Sequence, residues 1–208
     1  VGGGRDLVNG AGGGVDTFVV DGDVSAESFR VVAVAGGVNT TLRADIAAAF
    51  GALAATTEIV ILRTAGGIET LIAELDNIEE IAINTLAVSG ATGGLPVGSD
   101  TVEIVGNFTP TSLALNTITI NGSAANDTVD ITALQSAHRI LFRSNGGEDT
   151  IVGTLRSQDV IEIAEGADPA AFDATDNEDG TVTMSDGTHS VTFTGSITAL
   201  PTLAPKGT

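Results

Sequence analysis

The chain has 208 residues, enough for one sizeable core or two small ones, and sets 8 Lys plus Arg against 27 Asp plus Glu, a net charge of −19. So acidic a chain excludes nucleic acid as a partner, because a phosphate backbone needs a basic patch, while a 42% hydrophobic content excludes a disordered acidic tail. Without Cys there is no disulfide and no thiolate metal site, and the apolar runs are too short and interrupted to span a bilayer. Self-repulsion of the excess charge opposes compaction, and bound divalent cations are the simplest remedy.

The first residues are glycine-rich. Val1-Gly2-Gly3-Gly4-Arg5-Asp6-Leu7-Val8-Asn9 fits the nine-residue pattern G-G-x-G-x-D-x-U-x except at its first place, and Ala11-Gly12-Gly13-Gly14-Val15-Asp16-Thr17-Phe18-Val19 fits it to a similar degree. Glycines let the backbone take φ > 0, so that carbonyl oxygens aim at a common centre. The Asp adds a hard, charged oxygen of the kind Ca²⁺ prefers, and the apolar residue two places on enters the core. The candidate calcium ligands are therefore Gly2, Gly4, Asp6, Gly12, Gly14 and Asp16. The pattern recurs with fewer glycines in 95–103, 122–130 and 144–152, which adds Asp100, Asp127 and Asp149. The plainer alternative for all of them is an Asp that bonds its own backbone and forms a turn. The start at Val1, inside a repeat and without Met or signal peptide, is the start expected of a fragment or processed product.

Strands are expected at 29–34 and 58–62, with an amphipathic helix between them at 42–55, where Ile46, Ala49, Phe50 and Leu53 share one face. Asn39, Thr40 and Thr41 are its candidate caps. Further strands are expected at 78–83 and 138–142. From Ile118 a strand starts every 11 residues, at Val129, Ile140 and Ile151, and Asp127 and Asp149 lie 22 apart, so two strands and two turns make one coil. Apolar residues alternate with polar ones in Ile118-Thr119-Ile120, Val129-Asp130-Ile131 and Ile161-Glu162-Ile163. His138 and His189, the two His of the chain, fall in strand patterns and are assigned to strand surfaces. The acidic run Asp173, Asp176, Glu178, Asp179 reads as a solvated turn. Asp186-Gly187 between two alternating runs predicts a hairpin at 181–195, and 196–208 reads as an extended tail.

The glycine–aspartate turns resemble the repeats-in-toxin (RTX) calcium-binding signature. That resemblance implies a roll whose successive turns alternate between two edges, with a calcium between turns two repeats apart. Asp6 and Asp16 would then lie on opposite edges as half-sites. Over about 70–195, the runs 73–81, 136–147, 156–162 and 187–195 resemble the C-terminal calcium-binding region of secreted bacterial proteins of the animal haem-peroxidase type. That likeness implies type I export.

The expected architecture is an all-β, parallel β-solenoid (an RTX-like β-roll) over 1–195, with one helical excursion and a C-terminal β-hairpin cap. The expected function is a non-catalytic, calcium-binding segment of a secreted bacterial protein with an extracellular structural role. Head-to-tail self-assembly into filaments or a surface layer is one form of that role, and an accessory folding and secretion module of a larger exoenzyme is the other. A solenoid acting on polysaccharide is the enzymatic alternative.

Overall fold

Two sheets face each other, and the chain passes back and forth between them. In the computed structural model, which describes residues 4–85, 98–164 and 166–205, the fold is mostly β-sheet with one short helical insertion. The chain enters the larger sheet as β1 (Asp6–Asn9), crosses to the smaller as β2 (Thr17–Asp21) and returns as β3 (Glu27–Ala33). Helix α1 (Thr40–Phe50) follows, then β4 (Ile59–Ala65) and β5 (Ile68–Asp76) on the larger sheet. Strands then alternate between the smaller and larger sheets: β6 (Glu80–Asn84), β7 (Thr101–Val105), β8 (Ile118–Asn121), β9 (Thr128–Asp130), β10 (Ile140–Ser144), β11 (Glu148–Thr154) and β12 (Val160–Ile163). A meander of β13 (Asp173–Asp176), β14 (Thr181–Ser185) and β15 (Ser190–Thr194) extends the larger sheet, and β16 (Thr202–Pro205) ends the smaller.

The larger sheet has the order β1-β5-β4-β3-β7-β9-β11-β15-β14-β13, and the smaller β16-β12-β10-β8-β6-β2. Ile118 lies opposite Ile140 in the smaller sheet, and Val129 opposite Ile151 in the larger. Residues 22 apart are thus stacked neighbours, and every second strand start belongs to the same sheet. Period-two alternation then sorts the side chains. Phe29, Val102, Val129, Ile151 and Phe193 line up inward across the larger sheet, while Ser28, Thr101, Thr128, Thr150, Thr192 and Thr183 form a hydroxyl row on its outer face. Cross-strand Thr pairs of this kind stabilise a sheet by a few tenths to about 1 kcal/mol each. The interior between the sheets is an aliphatic core with Phe29, Phe108, Phe142 and Phe193 fully buried.

Pairing is not parallel throughout. The smaller sheet is all parallel, but β3-β4-β5 and β15-β14-β13 are antiparallel. The cause of the β4-to-β5 reversal is local: Gly66 and Gly67 both have positive φ, 59° and 78°, as a two-residue hairpin turn with the twist of its strands requires. The helix is shorter than 42–55. Gly51, at φ 90°, ends it after Phe50. Asn39 precedes it but gives no side-chain cap, because its amide donates to Ala35 O and Asn107 O. Ile46, with Leu42, Phe50 and the following Leu53, covers the outer face of the larger sheet at Val32, Val60, Leu62 and Val105. The tail differs too. Residues 202–205 form β16, in register with Val160–Ile163, since β12 otherwise presents an unpaired edge.

Candidate functional site, a buried carboxylate column

Four parallel strands of the larger sheet, β3, β7, β9 and β11, carry an acid within one residue of their first residue, on the same side as the core row. Glu27 precedes Phe29 by two, as Asp100 precedes Val102, Asp127 precedes Val129, and Asp149 precedes Ile151. Strand parity therefore turns all four carboxylates inward. They are 3%, 1%, 2% and 1% exposed, respectively.

The carboxylates are stapled strand to strand. Glu27 N donates to Asp100 Oδ1 at 2.7 Å, Asp100 N to Asp127 Oδ1 at 2.9 Å, and Asp127 N to Asp149 Oδ1 at 2.8 Å. Backbone bonds run beside them, from Thr128 N to Asp100 O and from Thr150 N to Asp127 O. At one end Glu27 is paired with Arg63 of β4, which also reaches Asp23. At the other end Ser144 Oγ donates to Asp149 Oδ2 and meets His189 Nε2. Asp127 Oδ2 accepts from Ser123 N at 2.5 Å. Asp100 Oδ2, fully enclosed, has no partner.

Electrostatics follow from that burial. Loss of water, with the charges of Asp127, Glu27 and Asp23 adding to it, pushes Asp100 up to about 7, against the opposing bond from Glu27 N. Burial likewise pushes Asp149 up to about 7 and raises Asp127. His189 is held below its ordinary value by burial, partly offset by the charge of Asp186. The opposite corner uses the same device less regularly. Asp16 N donates to Glu79 Oε2, Ile140 N donates to Asp159 Oδ1, and Arg156 pairs with Asp159.

These positions settle where the candidate ligands lie. Asp100, Asp127 and Asp149 turn their carboxylates into the protein and accept backbone N–H groups of the neighbouring strand. Gly2 lies outside the described residues. Gly4, Gly12 and Gly14 are exposed, with open space around each, and Asp6 is exposed at the start of β1. The Asp16 carboxylate folds back over Gly10 while its backbone bonds Glu79 and Glu80. A calcium ion takes six to eight oxygens. The Gly12–Asp16 turn alone brings one carboxylate and a few carbonyls, and among the described residues no three His, Asp or Glu side chains converge as a metal requires. The turn therefore fits half of such a site at most.

Both His are buried rather than on strand surfaces, His138 at 2% and His189 at 7% exposure, because each precedes a core residue by two. His138 Nε2 meets Leu113 O, and its ring lies 5.7 Å from that of Phe108. The Asp149–Ser144–His189 chain has the members of a hydrolytic triad in the wrong order, with the carboxylate on the Ser. Ser144 is wholly buried and out of reach of a substrate. Glu27, Ser144 and Arg63 were not visible in the sequence as members of one site. The signal for Glu27 was its parity with Phe29. Nothing local marks the other two. Compared with known proteins, the chain matches no family model, no curated protein and no solved structure.

Proposed function

We propose that this chain is a non-catalytic β-solenoid segment of repeats-in-toxin type from an exported bacterial protein, and that its coils are braced by buried carboxylates instead of by calcium. The observation behind this reading is the column, in which each coil's backbone N–H is held by the acid of the next from Glu27 to Asp149. Corners closed in this way need no metal to close them. In this reading calcium belongs only at the Gly12–Asp16 turn, where a further glycine–aspartate turn stacks on the outer edges of β1 and β2 and completes the oxygen set. The opposite end favours an accessory segment over a self-assembling subunit. There the outer strand of the larger sheet, β13, carries exposed Asp173 and Asp176, and acids on an edge oppose pairing with another strand.

Far-ultraviolet circular dichroism and light scattering on the chain, in chelator and in excess calcium, test the reading. The expected result is one β-spectrum and a monomer mass in both, for the wild type and for Asp16→Ala. A β-signal that disappears in chelator and returns with calcium overturns the braced corner. Long polymers in calcium move the role to a filament or surface-layer subunit.

A further inference from the structure

An asparagine followed by glycine is the dipeptide that most readily rearranges its own backbone, because the glycine has no Cβ to obstruct the approach of its N to the amide before it. The chain has three such pairs, Asn9-Gly10, Asn121-Gly122 and Asn145-Gly146, each where a strand ends. The reaction needs two freedoms. The Asn side chain must swing towards the next residue, and the glycine N must be released from any acceptor.

The fold removes both freedoms at two of the pairs. Asn9 donates from Nδ2 to Asp76 Oδ2 and accepts Ala11 N and Asn77 Nδ2 on its Oδ1, while Gly10 N donates to Asp76 O. Asn121 donates to Asn84 Oδ1 and accepts Arg143 Nη1, while Gly122 N donates to Arg143 O. The third pair is different. Asn145, half-buried just after β10, has one side-chain bond, from Nδ2 to Gly122 O at 2.7 Å. Among the described residues its Oδ1 has no donor and Gly146 N has no acceptor. A Cβ placed on Gly146 would come no nearer than 3.5 Å to Ala124, so this turn also has room to move.

We propose that Asn145-Gly146 is a self-modification site, at which the folded chain converts its own asparagine to aspartate and isoaspartate and loosens the β10-to-β11 corner as it does so. Gly146 N attacks Asn145 Cγ and gives up its hydrogen. The N–Cγ bond forms, the Cγ–Nδ2 bond breaks, and the amide nitrogen leaves as ammonia with that hydrogen, which closes a five-membered succinimide. Water then opens the ring. Addition at Cγ restores the ordinary main chain with an aspartate side chain, and addition at the main-chain carbonyl carbon sends the chain through Cβ and Cγ as isoaspartate. Water is the one co-reactant, and nothing is oxidised or reduced.

Both products break the same contact. The donor to Gly122 O is gone, and a carboxylate oxygen stands where the N–H stood, facing a carbonyl oxygen. Isoaspartate also adds a methylene to the main chain before Gly147, where there is little slack. A Cβ on Gly147 would lie 2.5 Å from Ala125 O, and Glu148 N is bonded to Asn126 Oδ1. The corner therefore parts from the turn at 122–126 against which it packs.

The test holds the whole chain folded in chelator at mildly alkaline pH, samples it over time and cuts each sample with trypsin. Cleavage after arginine leaves the three pairs in three peptides, 6–30, 64–139 and 144–156, whose fragment masses give the rate at each Asn. Asn145 is expected to convert about tenfold faster than Asn9 or Asn121, the effect of the further bonds that those two must break. In urea the difference should vanish, because it belongs to the fold. The aged chain and Asn145→Asp should both unfold about 2–4 °C below the fresh wild type, the shift expected for one lost bond in a chain of this size. Asn145→Gln, whose ring closure is six-membered and slower, should not age. Equal rates at the three pairs in the folded chain, a preference for Asn145 that persists in urea, or an aged chain that unfolds with the fresh one overturns the proposal. If Asn145→Asp does not fold, the aged wild type decides. The outcome is independent of the braced-corner reading, which concerns the response to calcium.

Discussion

Among the described residues Arg63 is the one charged group that balances an acid of the main column by direct contact, and it does so from another strand. Its Nε lies 2.6 Å from Glu27 Oε1, with the Glu27 side chain fully enclosed and the Arg side chain 17% exposed. Removing one partner of such a pair costs about 3–5 kcal/mol when both are buried, because the survivor is left charged and unpaired. The partial exposure of Arg63 places Arg63→Ala at the lower end, a loss of roughly 3 kcal/mol in urea unfolding. Glu27→Gln in the Arg63→Ala background should return part of that loss, since a neutral amide needs no counter-charge. Equal stability of the single and double variants would mean that the pair contributes nothing. The acids of the column were legible as unusual residues, but not in their direction. In Asp-Thr-Val the Val enters the core, so the Asp two places earlier lies on the same face of the strand as the core row. The glycine motif pointed to an oxygen offered to a metal, and parity, which was equally present in the sequence, places that oxygen on the core side of the strand.

At the scale of elements, the corners are tight because glycine lets neighbouring turns touch. A Cβ on Gly22 would sit 2.3 Å from Thr85 O and 2.9 Å from Glu27 Oε2, and one on Gly98 would sit 2.2 Å from Ala26 N. Backbone cannot retreat from such contacts without parting the paired strands. Gly22→Ala should therefore cost about 1–3 kcal/mol or more, the range for overpacking, whereas Gly12→Ala, with nothing within 4 Å, should change stability by less than about 0.5 kcal/mol. Urea unfolding of both variants in chelator checks the contrast, and equal losses would refute close approach as the reason for glycine at the corner. The same element-level view explains what the sequence hid. Asp186-Gly187 marked the hairpin of β14 and β15, which is antiparallel as expected. Gly66-Gly67 between Ala65 and Ile68 carried an equally direct hairpin signal, and it is what inserts the antiparallel β4 and β5 between β3 and β1. The helix face was readable from Ile46 and Phe50, but its end was set by Gly51, inside the expected span.

Over the whole molecule the 22-residue spacing was legible where strands alternate between the sheets without interruption, from Ile118 to Ile151, and illegible between Glu27 and Asp76. There the helix and the β4-β5 hairpin separate β3 from β6 and β7, which resume the alternation between sheets, so no constant period survives. The two ends of the sheets were hidden for a different reason, since an edge is defined by which strand lacks a neighbour. At one end that strand is β13, with Asp173 and Asp176 exposed and Glu178 and Asp179 in the turn after it. A chain of net charge −19 that presents acids along an edge resists pairing with a copy of itself. Replacing Asp173 and Asp176 together by Thr leaves a strand of Thr-Ala-Thr-Thr, neutral and rich in β-forming residues, beside the existing Thr183 and Ser185 of β14. The double variant should keep its fold, because neither carboxylate is buried, and should associate with rising concentration where the wild type stays monomeric. Light scattering over a hundredfold concentration range separates the two. A double variant that remains monomeric would show that the shape of this end, not its charge, keeps the stack from growing, and raising the salt should then leave the wild type monomeric as well.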